Sequence, residues 1–95
     1  MAWVLIEHQI GDYEMLRQVY DDDAARREAM GCIAGHIWRA ADDPLNVCVL
    51  LEWDTVEHAR EFAGSFETQQ ALHWSSAKAP TTKITAFEEV HTTTH

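Results

Sequence analysis

The chain has 95 residues, of which 46% are hydrophobic and 24% are charged, and its formal net charge is -9. This length and composition predict one soluble globular domain with a single core. The acidity argues against nucleic acid or an anionic membrane as a partner, because such sites carry clustered basic residues and the seven Lys and Arg residues here are scattered. The apolar N-terminal stretch is shorter than a membrane helix and lacks a basic leader, so we expect a cytoplasmic protein.

The first part of the chain predicts a strand followed by a helix. Residues 3–10 alternate between two faces, as a pleated strand requires. One of these faces carries Val4, Ile6, His8 and Ile10. Asp12 is a suitable N-cap for a helix over residues 13–30, and Gly31 is a suitable C-cap. We interpret the acidic residues 21–23 as solvated helix surface rather than a metal site, because neighbouring helical side chains point ~100° apart.

Two strands joined by an acidic, proline-containing loop follow the helix. Residues 32–40 predict the first strand and residues 47–53 the second. The loop over residues 42–46 contains aspartates, which bond the backbone two residues on, and Pro44, which fixes its own φ. The second strand is apolar on both faces, so it should lie inside the sheet or against a partner.

The rest of the chain predicts two helices and a final strand. Asp54 and Glu57 have the spacing of a capping box, which predicts a second helix ending near Ser65. Residues 66–76 predict a third helix and residues 82–90 a fourth strand. The order β, α, β, β, α, α, β is that of a ferredoxin-like split βαβ fold of the α+β class, a four-stranded antiparallel sheet with helices on one face.

The predicted sheet has a second apolar face, turned away from the helices. Its large or apolar members are Trp3, Leu5, Cys48, Leu50 and Phe87. A surface of this kind is too apolar to face water, so we expect it to meet the same surface of a second copy in a homodimer. The domain should span residues 1–90, with residues 91–95 as a polar tail.

His8 is the best candidate for acid–base chemistry. The alternation of the first strand places it on the side that faces the helices, where an imidazole can exchange a proton near neutral pH. The alternative is a core histidine bonded to a backbone carbonyl or to Asp12. His73, near the end of the predicted third helix, is the second candidate, with simple surface exposure as its alternative.

Several aromatic residues are candidates for the wall of a substrate pocket. Tyr20, Trp53 and Trp74 offer flat surfaces for an aromatic ligand, although such residues are more often part of a core. His36 and Trp38 share one face of their strand, and the sequence leaves open whether that face meets the pocket. No histidine, cysteine or carboxylate spacing indicates a metal site, and no glycine-rich nucleotide motif is present.

Residues along almost the entire chain carry a family resemblance. They are His8, Asp12, Tyr13, Gly31, Arg39, the run Asp42–Pro44, Val47, Glu52, Trp53, Ala59, Arg60, Phe62, Ser65 and the closing ITAFEEV at 84–90. In these residues the chain resembles the small dimeric α/β-barrel proteins of the antibiotic-biosynthesis monooxygenase-like superfamily. It departs from that pattern at Leu16, Tyr20 and Phe66 and at residues 75–77, which fall around the expected pocket.

The resemblance implies a small biosynthetic enzyme that needs no cofactor. Its substrate would be an aromatic or polyketide-like molecule, transformed by acid–base cyclisation or by oxygenation in a cavity between sheet and helices. A non-catalytic role, binding a small ligand or supporting an assembly, is the alternative on the same fold. Haem degradation is a weaker third possibility.

Overall fold

The structure, a computed structural model, describes residues 1–65, 68 and 83–95. The elements in chain order are β1 (Ala2–Gln9), α1 (Tyr13–Asp22), α2 (Ala24–Met30), β2 (Cys32–Ala40), β3 (Asp43–Trp53), α3 (Val56–Gly64) and β4 (Lys83–Glu88). Within these ranges, no helix is long and apolar enough to cross a membrane.

The four strands form one antiparallel sheet in the order β2-β3-β1-β4. The helices pack on one face of it, so the predicted ferredoxin-like α+β fold is confirmed. β3 is an interior strand, as its two apolar faces predicted, and it pairs with β1 on one side and β2 on the other. β2 therefore forms one edge of the sheet.

The core lies between the inner face of the sheet, which we define as the helix-covered face, and the helices. Its main cluster contains Ala2, Val4, Ile6, Val49, Leu51, Trp53, Ala59 and Phe62. A smaller cluster contains Ile10, Leu16 and Val47. In β1 and β3 the buried positions alternate with partly buried or exposed ones, because successive side chains point to opposite faces.

The predicted single helix over residues 13–30 is wrong, because the helix is broken at Asp23. Asp23 has φ -91° and ψ 0°, and it ends α1 and begins α2. Arg26 binds the Asp23 carboxylate, with Nε donating at 2.7 Å and Nη2 donating at 2.9 Å. Asp12 caps α1 and Gly31 caps α2 as predicted, the latter with φ 113°.

The loop between β2 and β3 is shorter than predicted. Ala40 pairs with Asp43, so β3 begins four residues before the expected position. Residues 44–46 bulge from the β2 pairing, since the next pair joins Arg39 to Val47. The bulge accommodates Pro44, which has no N–H to donate. The expected aspartate turn is present, because the backbone N–H of Leu45 donates to the Asp43 carboxylate at 3.1 Å.

The start of α3 also differs from the prediction by one residue. Thr55, not Asp54, is the N-cap, and its hydroxyl accepts from the backbone N–H of His58 at 3.1 Å. The helix ends at Gly64, close to the predicted end. The third helix predicted for residues 66–76 lies outside the described residues, apart from Thr68, which is helical and buried.

Candidate functional site

A small cavity lies between the inner face of the sheet and the helices. Its walls are contributed by Ile6, His8, Leu16, Val19, Tyr20, Asp23, Arg27, Val49, Leu51, Phe62 and Thr68. The cavity volume is about 40 Å³. That volume corresponds to roughly three water molecules. The lining is mostly apolar, with a few ionisable groups on its wall, which is the usual composition of a small-molecule site.

His8 faces this cavity and is unpartnered within the described part of the chain. Its side chain is 2% exposed, and neither ring nitrogen has a hydrogen-bond partner among the described residues. Asp12 does not bond it, because that carboxylate caps α1 by accepting from the backbone N–H of Glu14 at 3.0 Å. Burial lowers the pKa of His8 below its ordinary value of 6.5. The imidazole is therefore neutral near pH 7 and can accept a proton.

Arg27 places a positive charge on the cavity wall. Arg27 is 7% exposed, and its Nη1 donates to the backbone carbonyl of Tyr20 at 2.8 Å. The guanidinium carbon lies 4.0 Å from the centre of the Tyr20 ring, a cation–π contact that further fixes the side chain. Both residues come from the α1–α2 pair, and the break at Asp23 sets their relative orientation.

Asp23 contributes a carboxylate to the cavity wall. It also belongs to a polar cluster formed with Arg26, Ser65 and Thr68. Arg26 binds both of its oxygens and also donates to Thr68 Oγ1 at 2.8 Å and to Ser65 Oγ at 3.2 Å. Arg27 Nη1 lies 4.0 Å from Asp23 Oδ2. The cluster ties α2 to the end of α3. Asp23 is therefore not the solvated residue that its acidic run suggested, whereas Asp21 and Asp22 are exposed.

Tyr20 forms part of the cavity wall and covers β2. A Cβ built on Gly35 would overlap the Tyr20 hydroxyl, so the phenol end rests directly on this glycine. Trp53, by contrast, does not line the cavity. It is fully buried in the core, with its ring centre 4.9 Å from that of Phe62, and its indole N–H has no partner among the described residues.

The remaining predicted site residues are not brought to the cavity. His36 and Trp38 lie on the outer face of the sheet, which we define as the face opposite the helices, and their ring centres are 5.9 Å apart. Ile37 between them packs inward against both core clusters. His73 and Trp74 lie outside the described residues. Within residues 1–65, 68 and 83–95, no group of three or more His, Cys, Asp or Glu side chains is arranged to hold a metal ion.

Sequence reasoning missed Arg27 and Asp23 as site residues. The spacing of seven between Tyr20 and Arg27 would place them on one face of a continuous helix, but they lie on α1 and α2, on either side of the break at Asp23, so the spacing alone did not indicate their contact. Arginine is also rarely buried without a partner, so composition alone favoured solvent for this side chain.

The fold is that of the antibiotic-biosynthesis monooxygenase-like proteins, as the resemblance implied. The sequence matches no protein-family model and no curated relative. Among solved structures, SnoaB, a cofactor-independent oxygenase from Streptomyces nogalater, superposes with a TM-score of 0.71 at 17% identity, covering 96% of this chain and 93% of SnoaB. Rv0793 from Mycobacterium tuberculosis gives a TM-score of 0.66 at 13% identity, covering 99% and 100% of the two chains. An antibiotic biosynthesis monooxygenase gives 0.63 at 13% identity, covering 96% and 100%.

Proposed function

We propose that the chain is a small enzyme that transforms an aromatic or polyketide-like molecule without a cofactor, with His8 as its acid–base group. The observation that carries this proposal is His8 itself, a buried imidazole on a cavity wall with both ring nitrogens unpartnered among the described residues. Leaving two buried polar atoms without partners costs folding free energy. A protein that uses these atoms to bind a ligand has a reason to keep them unpartnered. The shared fold with a cofactor-independent oxygenase supports the same conclusion.

Two reactions fit a neutral histidine beside an apolar cavity. In oxygenation, His8 removes the proton of an electron-rich phenol, and the phenolate reacts with dioxygen. One oxygen atom enters the ring and the other leaves as water with the two hydrogens that the phenol loses, giving a quinone; the phenol supplies all four electrons. In cyclisation, His8 removes a proton next to a carbonyl and returns it later, and no oxidant is consumed.

The volume of the cavity requires that the site open. A molecule with one or more rings needs a few hundred Å³, as ligand pockets usually provide. Tyr20 and Arg27 border both the cavity and a surface groove of about 380 Å³ between α2 and β2. Because these two side chains line both spaces, we infer that their outward movement would join the spaces into a site of suitable size.

The test of this proposal is oxygen uptake and product mass with a panel of electron-rich phenols and polyketide-like precursors. We expect His8→Phe to keep the fold, because a ring of similar shape fills the position, and to lower turnover by ~10²-fold or more. An oxygenated product gains one oxygen and loses two hydrogens, whereas a cyclised product consumes no dioxygen. His73→Ala is the comparison, since His73 is the other predicted catalytic residue. Full turnover in both variants and in the double variant would exclude histidine catalysis.

The small volume of the cavity favours a second candidate, a protein that binds a small ligand or supports an assembly without catalysis. In that case His8→Phe changes ligand affinity or thermal stability, and no phenol or polyketide-like compound is turned over by the wild-type chain. Haem degradation stays the weaker third possibility; a shifted Soret band after haem is added would support it.

We also infer that the working unit is a homodimer formed by the outer faces of two sheets. The support is the apolar surface there, where a depression is bordered by Trp3, Leu5, Leu50 and Phe87 and at one end by Glu88 and Glu89. Monomeric proteins rarely keep a continuous apolar patch of this kind in water.

A further inference from the structure

Arg27 is a buried cation with unused hydrogen-bonding capacity. A guanidinium carries five N–H donors. Among the described residues, its acceptors are the backbone carbonyl of Tyr20, at 2.8 Å, and the Cys32 thiol. A desolvated positive charge costs folding free energy unless an anion or several acceptors compensate it. Asp23 is the ion-pair partner of Arg27, with Oδ2 4.0 Å from Nη1, which is beyond hydrogen-bond distance. Among the described residues these contacts use only part of the donor set, which leaves room for a further acceptor.

The guanidinium groups of Arg26 and Arg27 lie beside one carboxylate, that of Asp23 on the cavity wall. Asp23 is the carboxylate closest to Arg27 on that wall, and both oxygens of Asp23 are bound by Arg26 at 2.7 and 2.9 Å. Two guanidinium groups thus share one carboxylate. Glu28 borders the groove beside Arg27 but is exposed, and it makes no ion pair with Arg27.

From this arrangement we propose that Arg27 binds a carboxylate group of the substrate. The planar fork of a guanidinium matches the two oxygens of a carboxylate, and such pairs are stronger than neutral hydrogen bonds. The proposal rests on the proposed function in taking the cavity as the substrate site. It adds the chemical class: an apolar molecule, such as an aromatic acid, with an ionised carboxylate at one end.

The position of Arg27 also orients such a molecule. Because Arg27 borders both the groove and the cavity, its carboxylate partner would lie at the boundary between them. The apolar part would extend past Tyr20 toward Leu16 and Leu51, which belong to the cavity wall. His8, on the same wall, would then face the body of the substrate rather than its carboxylate.

The test compares benzoate with benzamide, which has the same ring and a similar shape but no charge. In ¹H–¹⁵N NMR titrations of the wild-type chain, we expect benzoate to bind at least ~10-fold more tightly than benzamide, the difference that a hydrogen bond to a charged group supplies. Shifted amide signals should include those of Tyr20 and Leu51. Arg27→Gln should bring the ratio of the two affinities close to one, and Arg27→Lys should retain part of it.

Arg17→Gln is the matched control, because Arg17 is an exposed arginine of α1 paired with Asp21 at 3.2 Å. It should leave the preference for benzoate unchanged. Equal binding of benzoate and benzamide by the wild-type chain, no binding of benzoate at millimolar concentration, or a preference that persists in Arg27→Gln would each overturn the proposal. If Arg27→Gln does not fold, the wild-type comparison still decides, since it needs no variant.

The outcome is separable from that of the proposed function. The titrations measure binding and not turnover, so a benzoate preference that depends on Arg27 stands even if His8→Phe turns out fully active. Conversely, turnover that depends on His8, observed with neutral phenols and without any benzoate preference, would leave the proposed function intact and remove the carboxylate site.

Discussion

The inner and outer faces of the sheet are built from the same strands but end in opposite environments. On the inner face, Val4 is 0% and Leu51 1% exposed, because α1, α2 and α3 cover them. On the outer face, Trp38 is 54% and Phe87 47% exposed. Both faces carry large apolar side chains, yet among the described residues the helices cover only the inner one.

This contrast places the two proposed roles on opposite faces of one sheet. The cavity between the inner face and the helices holds the groups suited to chemistry, since His8 of β1 and Arg27 of α2 both contribute to its wall. The outer face carries large apolar side chains at its centre, where Leu50 pairs with Leu5 of β1 on one side and with His36 of β2 on the other. The proposed catalysis and the inferred association would therefore use opposite faces of one sheet. The predictions below test that division.

The largest effect is expected from a charge at the centre of the outer face. Leu50 lies between Leu5 of β1 and His36 of β2 in the strand register. Leu50→Asp should dissociate the proposed homodimer, because a carboxylate buried in an apolar interface loses its hydration without gaining a partner. Light scattering should show the mass of the variant fall to half that of the wild-type assembly.

Met15→Asp is the control for this experiment, since Met15 is an exposed apolar residue of α1 and not of the sheet. Its mass in solution should match that of the wild-type chain. A wild-type chain that is monomeric at micromolar concentration would contradict the inferred homodimer and leave the outer face without an assigned partner.

The faces themselves were predictable from the sequence because strand alternation is a local property. His8 was correctly placed on the helix-covered side from its parity with Ile6 and Ile10 alone. The alternation along β2 divided its side chains into two sets but did not show which set faces the helices. That orientation depends on which face the helices cover, which is tertiary information; Ile37 packs inward and Trp38 does not.

The cavity wall was less predictable because it depends on a break in a helix. At the break, Asp23 is bound by Arg26, which also reaches Ser65 and Thr68, about 40 residues further along the chain. No short-range pattern contains such a contact. In a continuous helix, the sequence predicts that Asp23 is the last of three solvated acidic residues and that Arg27 lies on the exposed helix surface.

A smaller effect is expected from closing the space between Tyr20 and β2. A Cβ at Gly35 would overlap the Tyr20 hydroxyl and lie 3.1 Å from Leu51 Cδ2. Gly35→Ala should lower the free energy of unfolding by about 1–3 kcal/mol, as other overpacked sites do. Urea denaturation measures the change. Adding Tyr20→Phe should recover part of the loss, because it removes the atom that the new methyl group meets.

Gly64→Ala is the matched control for a glycine outside the inner face. A Cβ there would meet nothing within 4 Å, and the residue ends α3 without a positive φ. This substitution should stabilise the chain by about 0.4–1 kcal/mol, through the reduced entropy of the unfolded state. Equal effects of the two glycine substitutions would show that Tyr20 does not close the inner face at Gly35.

The smallest effect is expected from an exposed ion pair that belongs to neither face. Asp54 and His58 lie at the start of α3, with His58 Nδ1 2.7 Å from Asp54 Oδ1. The hydrogen bond that His58 donates to the Asp54 carboxylate raises the pKa of His58, and the same bond lowers the pKa of Asp54. The positive end of the helix opposes a charged His58, so the carboxylate is the dominant neighbour.

The signs of these shifts define the pH range in which the pair stabilises the fold. Because the pKa of His58 is raised in the folded state, protonated His58 contributes to the free energy of unfolding. This contribution is fully present below the ordinary pKa of 6.5 and is lost as the pH rises through the raised pKa. The lowered pKa of Asp54 gives a contribution present above its ordinary 3.8 and lost on further acidification. His58→Ala should therefore lower the melting temperature by at most a few degrees, more at pH 5.5 than at pH 8.5. His91→Ala, in the exposed tail, should change it at neither pH, and a His58→Ala effect that is larger at the higher pH would refute the pairing.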